Sequence, residues 1–430
     1  MTPLAAAGAG DPSACALPGD DVDRDPPSPG TVRAPAEPPA ATRVARITSA
    51  GLTRLWRSGI LPEPTLDPAA LIERAVRAER KEDFGPDHWR GALEVLTGSL
   101  AAEADLNPIG RTLAHGQLVK ILRERLRARA LWRAHPEILE RPIPAPIIVL
   151  GSMRSGTTRI QRLLACDDRL AHTRLFESLT PVPARLRRGK AAAGLAFLRA
   201  LNPPFAAIHP TAASAPDEEF GLFGFSVNGA QLETQWRVPG FARWWEGQDP
   251  APVYREFRRL LQTIGWSRGE APGRPWILKS PQYMEELDAM IAAFPDARLI
   301  CLHRDPAAVV ASSASLVWHQ LRVQSDSVSA AWVGGEWLGK TARRVERAAA
   351  ARRRHPDVPQ IDVQFADVDR DWLAEMRRIY AFLGMALTPA VEARMRHYLG
   401  GARAHLGHRY TLGAFGLSDA DVARTLPNGA

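Results

Sequence analysis

Residues 146–164 read PIIVLGSMRSGTTRIQRLL. Four apolar residues, Ile147 to Leu150, stop abruptly at Gly151. A run that short, ended by glycine and followed by helical spacing, predicts a buried strand that feeds a helix running from Gly156 to Cys166. Between strand and helix lies Gly-x4-Gly with two threonines behind it. Successive backbone N–H groups and the positive end of a helix converge on one anion in such a loop. Gly151 and Gly156 allow the backbone to twist and approach closely. Thr157 and Thr158 add hydroxyl donors. The competing reading is a plain strand-to-helix turn, which has no use for this cluster of donors.

A nucleoside-triphosphate loop follows its second glycine with a lysine, which reaches the terminal phosphates, and then a Ser or Thr on magnesium. Here Thr157 occupies the lysine position, and the cation is Arg154, inside the loop. The stretch "CLHRDP" supplies an arginine, Arg304, where a magnesium site would want a carboxylate. The loop therefore reads as a cradle for a phosphate without a metal bridge, and no metal is expected to be required.

The rest of the chain repeats the texture of the opening stretch. "RPWILKS" gives a strand at Trp276–Leu278, and "PQYMEELDAMIAAF" a helix starting near Pro281. "DARLICLHRDP" gives a strand at Arg298–Leu302, with a helix restarting at about Pro306; "PQIDVQFADV" is a further strand candidate. Strands alternating with helices predict an α/β fold, a P-loop-type parallel sheet flanked by helices. Ahead of it, residues 43–140 read as a helical lead-in, clearest from Thr65, with Asp67 as N-cap and Pro68 at the first helical position. Residues 1–42 hold nine of the 36 prolines and no aromatic residue, so they are expected to be disordered. Residues 141–430 are left as the catalytic domain.

Composition narrows the partners. The 430 residues carry a net charge of +8. That suits an anionic ligand, but the arginines are spread over helices rather than clustered with aromatics, which argues against a nucleic acid. The three cysteines, Cys15, Cys166 and Cys301, are too scattered for a zinc site or a disulfide framework. No apolar run approaches the roughly 18 residues of a membrane span, and the N-terminus lacks the order of a secretory signal. A cytoplasmic protein without stable membrane insertion is expected.

"GSMRSGTT" resembles the 5′-phosphosulfate loop of sulfotransferases that use 3′-phosphoadenosine 5′-phosphosulfate (PAPS), in the bacterial and tyrosylprotein-sulfotransferase-like branch, where it reads like PRSGTT. "CLHRDPAAVVASS" resembles the family's 3′-phosphate element, an arginine at a strand end and a serine eight residues on, matched by Arg304 and Ser312, with Ser313 adjoining. "WILKSP" resembles the Lys-[ST]-Pro of that branch, matched by Lys279 and Ser280; "RLFESLTP" resembles its Trp-Glu segment, matched at Glu177; "HLGHRYTLGAFGL" resembles its C-terminal segment. The resemblance covers roughly residues 65–417. Met153 stands where the family usually has proline, and Arg159 where it has an apolar residue.

The resemblance implies a PAPS-dependent sulfotransferase. It implies that Arg154, Ser155, Gly156, Thr157 and Thr158 bind the 5′-phosphate, and that Arg304 and Ser312 bind the 3′-phosphate. Arg154 and Lys279 would stabilise the leaving group. Glu177 is the first choice for the base that deprotonates the acceptor; Glu219, Glu218 and His209 follow in that order. The acceptor is a hydroxyl compound that remains open. A hydrophobic one would be accommodated if the aromatic residues between Phe220 and Trp245 lined a pocket rather than a helical core. Two alternatives compete: a P-loop kinase or NTPase-like phosphotransferase, and an inactive relative that only binds the nucleotide.

Overall fold

The computed structural model describes residues 42–203, 208, 210–401 and 410–426. The expected disordered segment, apart from Thr42, and His209 lie outside the described residues. Thr42 belongs to the structured part: its hydroxyl accepts the Ala45 N–H and caps the helix Arg43–Arg57.

Five parallel strands form one sheet: β1 (Ile147–Leu150), β2 (Ala171–His172), β3 (Trp276–Lys279), β4 (Arg298–His303) and β5 (Gln360–Gln364), in the order β2-β3-β1-β4-β5. β1 is central. Ile147 sits opposite Ile277 on one side and Arg298 on the other. All four β1 residues are buried, as a parallel strand covered on both faces must be. One face of the sheet packs on Phe257, Leu260 and Ile264 of the helix Ala251–Ser267. The other packs on Ile160, Leu163 and Leu164 of the helix Thr157–Leu164, the one the opening stretch predicts.

β2 has only two residues and no apolar run to announce it; it exists because Ala171 and His172 pair with Trp276 and Ile277. The helix expected from Pro281 also differs. Pro281–Met284 is a 3-10 turn capped by Ser280, and the α-helix begins at Leu287. The turn is held inward by its own side chains: Gln282 Oε1 accepts the Ala230 N–H, and the Tyr283 hydroxyl donates to Glu219. The helix expected at Pro306 does start there, capped by Asp305, and runs to Gln324.

The lead-in contains the helices Pro68–Glu79, His88–Ala102 and Pro108–Ala134. Asp67 caps the first through the Ala70 N–H at 2.8 Å, with Pro68 at N1. Leu71, Leu96, Leu118 and Leu122 share one core with Trp236, Phe241 and Trp245. Phe223 and Phe225 join the core under the sheet. Most of the aromatic cluster is thus core packing. Arg125, fully buried, locks the lead-in to the sheet domain by a two-pronged ion pair with Glu256 at 2.7 and 2.8 Å. Burial alone would raise the Glu256 pKa, but His88 and Arg125 outweigh it and hold the carboxyl at about 2. No helix among the described residues is long and apolar enough to cross a membrane.

Candidate active site

The C-terminal ends of β1, β3, β4 and β5 meet on one edge of the sheet, where ligands of open α/β sheets bind. β1 ends in the loop Gly151–Gly156. A Cβ on Gly151 would lie 2.7 Å from Ser155 Oγ and 3.0 Å from the Leu302 carbonyl of β4. Gly156 has φ +98° and meets the Phe365 ring, which a Cβ would approach to 2.6 Å. Arg154 also takes a left-handed conformation, φ +67°, costly for a side chain bearing a Cβ. Ser155 spends its hydroxyl inside the loop, donating to the Ser152 carbonyl at 2.7 Å. Gly156 is the N-cap of the following helix, and no side chain caps it, so its first amides face the cradle.

The loop is clamped from β4 and the helix after it. Arg154 Nε donates to Ser312 Oγ at 3.0 Å. Arg304 Nη1 donates to the Arg154 carbonyl at 2.7 Å, and Ser313 Oγ to the Met153 carbonyl at 3.2 Å. Arg304 stacks 4.2 Å above the centre of the Phe365 ring. Among the described residues, neither Arg154 nor Arg304 forms an ion pair with a carboxylate. Loss of hydration lowers the Arg154 pKa, and Arg304 adds to this, against the pull of Tyr410 and Glu218. Two converging cations that hold no carboxylate make a site for an anion.

β3 delivers the third cation. Lys279 is 1% exposed; its Nζ lies 3.1 Å from Thr158 Oγ1 and is ion-paired with Glu218. Burial raises the Glu218 pKa, opposed mainly by Lys279. Thr157, Thr158, Lys279, Glu218, Arg154, Arg304 and Ser312 thus form one continuous cluster.

Glu177 is not in it. Its carboxylate is taken up by Arg268, through Nε at 2.8 Å and Nη2, and by the Arg174 N–H at 3.0 Å, where it closes a capping box. Arg268 in turn donates to the His172 carbonyl. The family resemblance makes Glu177 the first choice for the base; the fold pairs that carboxylate with Arg268. Glu219 is also fully buried: its Oε2 accepts the Lys279 N–H and the Tyr283 hydroxyl, each at 2.8 Å. Of the three carboxylates Glu218 keeps the most accessible side-chain surface, 12% against 1% for Glu177 and none for Glu219.

Burial pushes the Glu219 carboxyl up to about 8. Between the unfolded value of about 4.3 and 8, the folded chain holds a proton that the unfolded chain has released, so Glu219 costs stability as pH rises through that window. Glu219→Gln keeps an acceptor for both donors and removes the titration. Urea unfolding between pH 5 and 8 is expected to show the wild type losing stability relative to the variant, by up to about 1.4 kcal/mol per pH unit. Parallel curves would assign the pH dependence to other groups.

Three positions were not singled out from sequence. Tyr283 holds Glu219, Arg268 holds Glu177, and Phe365 carries Arg304. Tyr283 follows Lys279 by four residues, in a stretch whose sequence reads as a helix and which the structure makes a 3-10 turn. Arg268 and Phe365 depend on contacts made across the sheet. The two departures from the family pattern are also accounted for: Arg159 pairs with Asp369 at 2.7 Å, and Met153 packs beside Trp318 and Phe415.

The sulfotransferase family model matches residues 146–389. Among solved structures, sulfotransferase STF1 from Mycobacterium tuberculosis H37Rv is similar at 29% identity and TM-score 0.74, covering 85% of this chain and 99% of that one. Sulfotransferase STF9 from Mycobacterium avium is similar at 25% identity and TM-score 0.72, covering 84% and 94%. A comparison with curated proteins finds no match. The family match spans more than half of the chain, from β1 past β5, and takes in every strand that carries the cation cluster: the chain belongs to the sulfotransferase family.

Proposed function

We propose that the chain transfers a sulfuryl group from PAPS to the hydroxyl of an acceptor, with Glu218 as the base. The observation that carries this reading is Lys279, whose ammonium touches both Thr158 of the phosphate loop and Glu218. A cation so placed lies between the group that departs and the group that prepares the attack.

The chain's own residues fit the donor. The uncapped amides at Gly156, the Thr157 and Thr158 hydroxyls and the left-handed turn at Arg154 make a cradle for the 5′-phosphate. Ser152 Oγ, buried and without a partner among the described residues, is a further polar group there. Arg304 and Ser312 hold the 3′-phosphate. When bound, PAPS supplies an activated sulfuryl group whose carrier departs as adenosine 3′,5′-bisphosphate. Arg154 and Lys279 concentrate positive charge at the 5′ end, where negative charge grows during transfer. Glu218, raised by burial, is suited to take the proton of a neutral hydroxyl. A phosphate in the loop competes with Glu218 for the Lys279 ammonium, so donor binding frees the base.

Thermal shift tests the donor assignment. Adenosine 3′,5′-bisphosphate without magnesium is expected to stabilise the fold, by about 2.7 kcal/mol at a hundredfold excess over Kd. ATP with magnesium is expected to do less, for it lacks a 3′-phosphate for Arg304. Equal or greater stabilisation by ATP with magnesium would restore the phosphotransferase reading. A screen of hydroxyl compounds with sulfur-labelled PAPS then identifies the acceptor and separates a working enzyme from a relative that only binds the nucleotide.

A further inference from the structure

The six large hydrophobic side chains that stand exposed among the described residues are Val44, Ile47, Ile60, Leu61, Leu186 and Phe197. They fall on only two helices and their flanks, Arg43–Arg57 and Arg187–Leu201. These helices touch: the Thr42 hydroxyl donates to the Leu201 carbonyl at 3.1 Å. The first packs along the helix Pro108–Ala134, and the second meets that helix at its end, through Leu201. Ala45 and Leu52 of the first pack with Leu201 and Ile109, which fixes the inner side of the first helix and turns Val44 and Ile47 outward.

Charge follows the same map. Arg43, Arg46, Arg54 and Arg57 are exposed, and the first acidic residue after them is Glu63. Arg185, Arg188 and Lys190 are exposed at the start of the second helix, and no acidic residue occurs between Glu177 and Asp217. None of these seven cations forms an ion pair among the described residues. Ile47 and Arg43, like Ile47 and Arg54, stand four and seven residues apart, on one flank of the helix.

We propose that this face docks on an anionic lipid bilayer. Aliphatic side chains beside unpaired cations match the acyl boundary and the negative headgroups of such a surface at once. A second copy of the chain would bring cation against cation across a two-fold interface. A nucleic acid would leave the aliphatic side chains unused, and among the described residues Phe197 is the one large exposed aromatic available for stacking. The first helix packs on Pro108–Ala134, and no helix among the described residues is long and apolar enough to cross a membrane, so the docking is peripheral.

Vesicle flotation of the full chain tests this without reference to sulfuryl transfer. The protein is expected to float with vesicles of phosphatidylcholine mixed with phosphatidylglycerol, to remain behind with phosphatidylcholine alone, and to be released by salt. Ile47→Glu with Phe197→Glu, both at exposed positions and checked by an unchanged melting temperature, is expected to weaken partitioning by about tenfold or more. Three outcomes overturn the proposal: no preference for the anionic vesicles, partitioning unaffected by the double variant, or equally tight binding to a soluble polyanion such as heparin that ignores both substitutions. Self-association through this face, abolished by Ile47→Glu, would assign it to a second copy instead.

Discussion

Lys279→Met is expected to lower kcat for sulfuryl transfer by about 10²–10³, the usual cost of removing one preorganised charge stabiliser from an active site. Lys279 is buried at the end of β3, where its backbone is pinned by Glu219 and its ammonium is shared between Thr158 and Glu218. Methionine preserves the length and fills the same space, so the fold is expected to persist. Two signatures accompany the loss. Affinity for adenosine 3′,5′-bisphosphate, read by calorimetry, falls much less than kcat, because Arg154, Arg304 and the loop amides remain. The acid limb of the pH–rate profile moves to higher pH, because Lys279 is the group that opposes the burial-driven rise of Glu218. Lys279→Arg is not expected to rescue transfer: a planar guanidinium does not fit a space shaped for a compact ammonium. Retention of kcat within threefold in Lys279→Met would remove the lysine from the transfer step.

Glu218→Gln is expected to lower kcat by about 10²–10⁴, the range for loss of a general base. Nucleotide binding should be no weaker, since the variant deletes a negative charge that competes for Lys279. Glu177→Gln is expected to behave in the opposite way. It breaks a buried ion pair and leaves Arg268 with Glu270 and the His172 carbonyl, so stability falls by about 1.5–3 kcal/mol while the folded fraction turns over within a few-fold of wild type. The pair of variants, measured by single-turnover kinetics and urea unfolding with the acceptor found by screening, separates the two carboxylates cleanly. A large kcat loss in Glu177→Gln at unchanged stability would return the base to the position that local motif reading preferred.

The strands that matter for chemistry are legible in the sequence because each is a short apolar run cut off by a polar or glycine residue at the point where it emerges from the sheet. Val149 and Leu150 before Gly151, and Leu302 before Arg304, are instances. The cation set is legible for the same reason: Lys279 closes its strand, and Arg154 and Arg304 follow just past theirs. What is hidden depends on pairing across distance. β2 is a strand by virtue of β3, not of its own residues. Glu177 stands in the first turn of the short helix Leu175–Leu179 and Glu218 just ahead of the short helix Phe220–Gly224, and neither setting marks a base. They are sorted by Arg268 and Lys279, which lie 91 and 61 positions away. A local motif has no access to such a choice. The 3-10 turn at Pro281 is likewise set by the demand of Glu219 for a donor, met by Tyr283.

The clamp on the loop has a consequence for how the site can be dissected. Arg154, proposed for the 5′ half, is gripped by Ser312 and Arg304, the residues proposed for the 3′ half. Phe365 supports both halves, under Gly156 and under Arg304. On this proposal the two ends of the nucleotide would be measured by a single caliper whose jaws share a hinge. Shortening one jaw, as in Ser312→Ala, shifts the other, so single substitutions will report losses at both ends of the ligand and their effects will not add. Only a double-mutant cycle, run against ligands with and without the 3′-phosphate, can divide the grip between its ends.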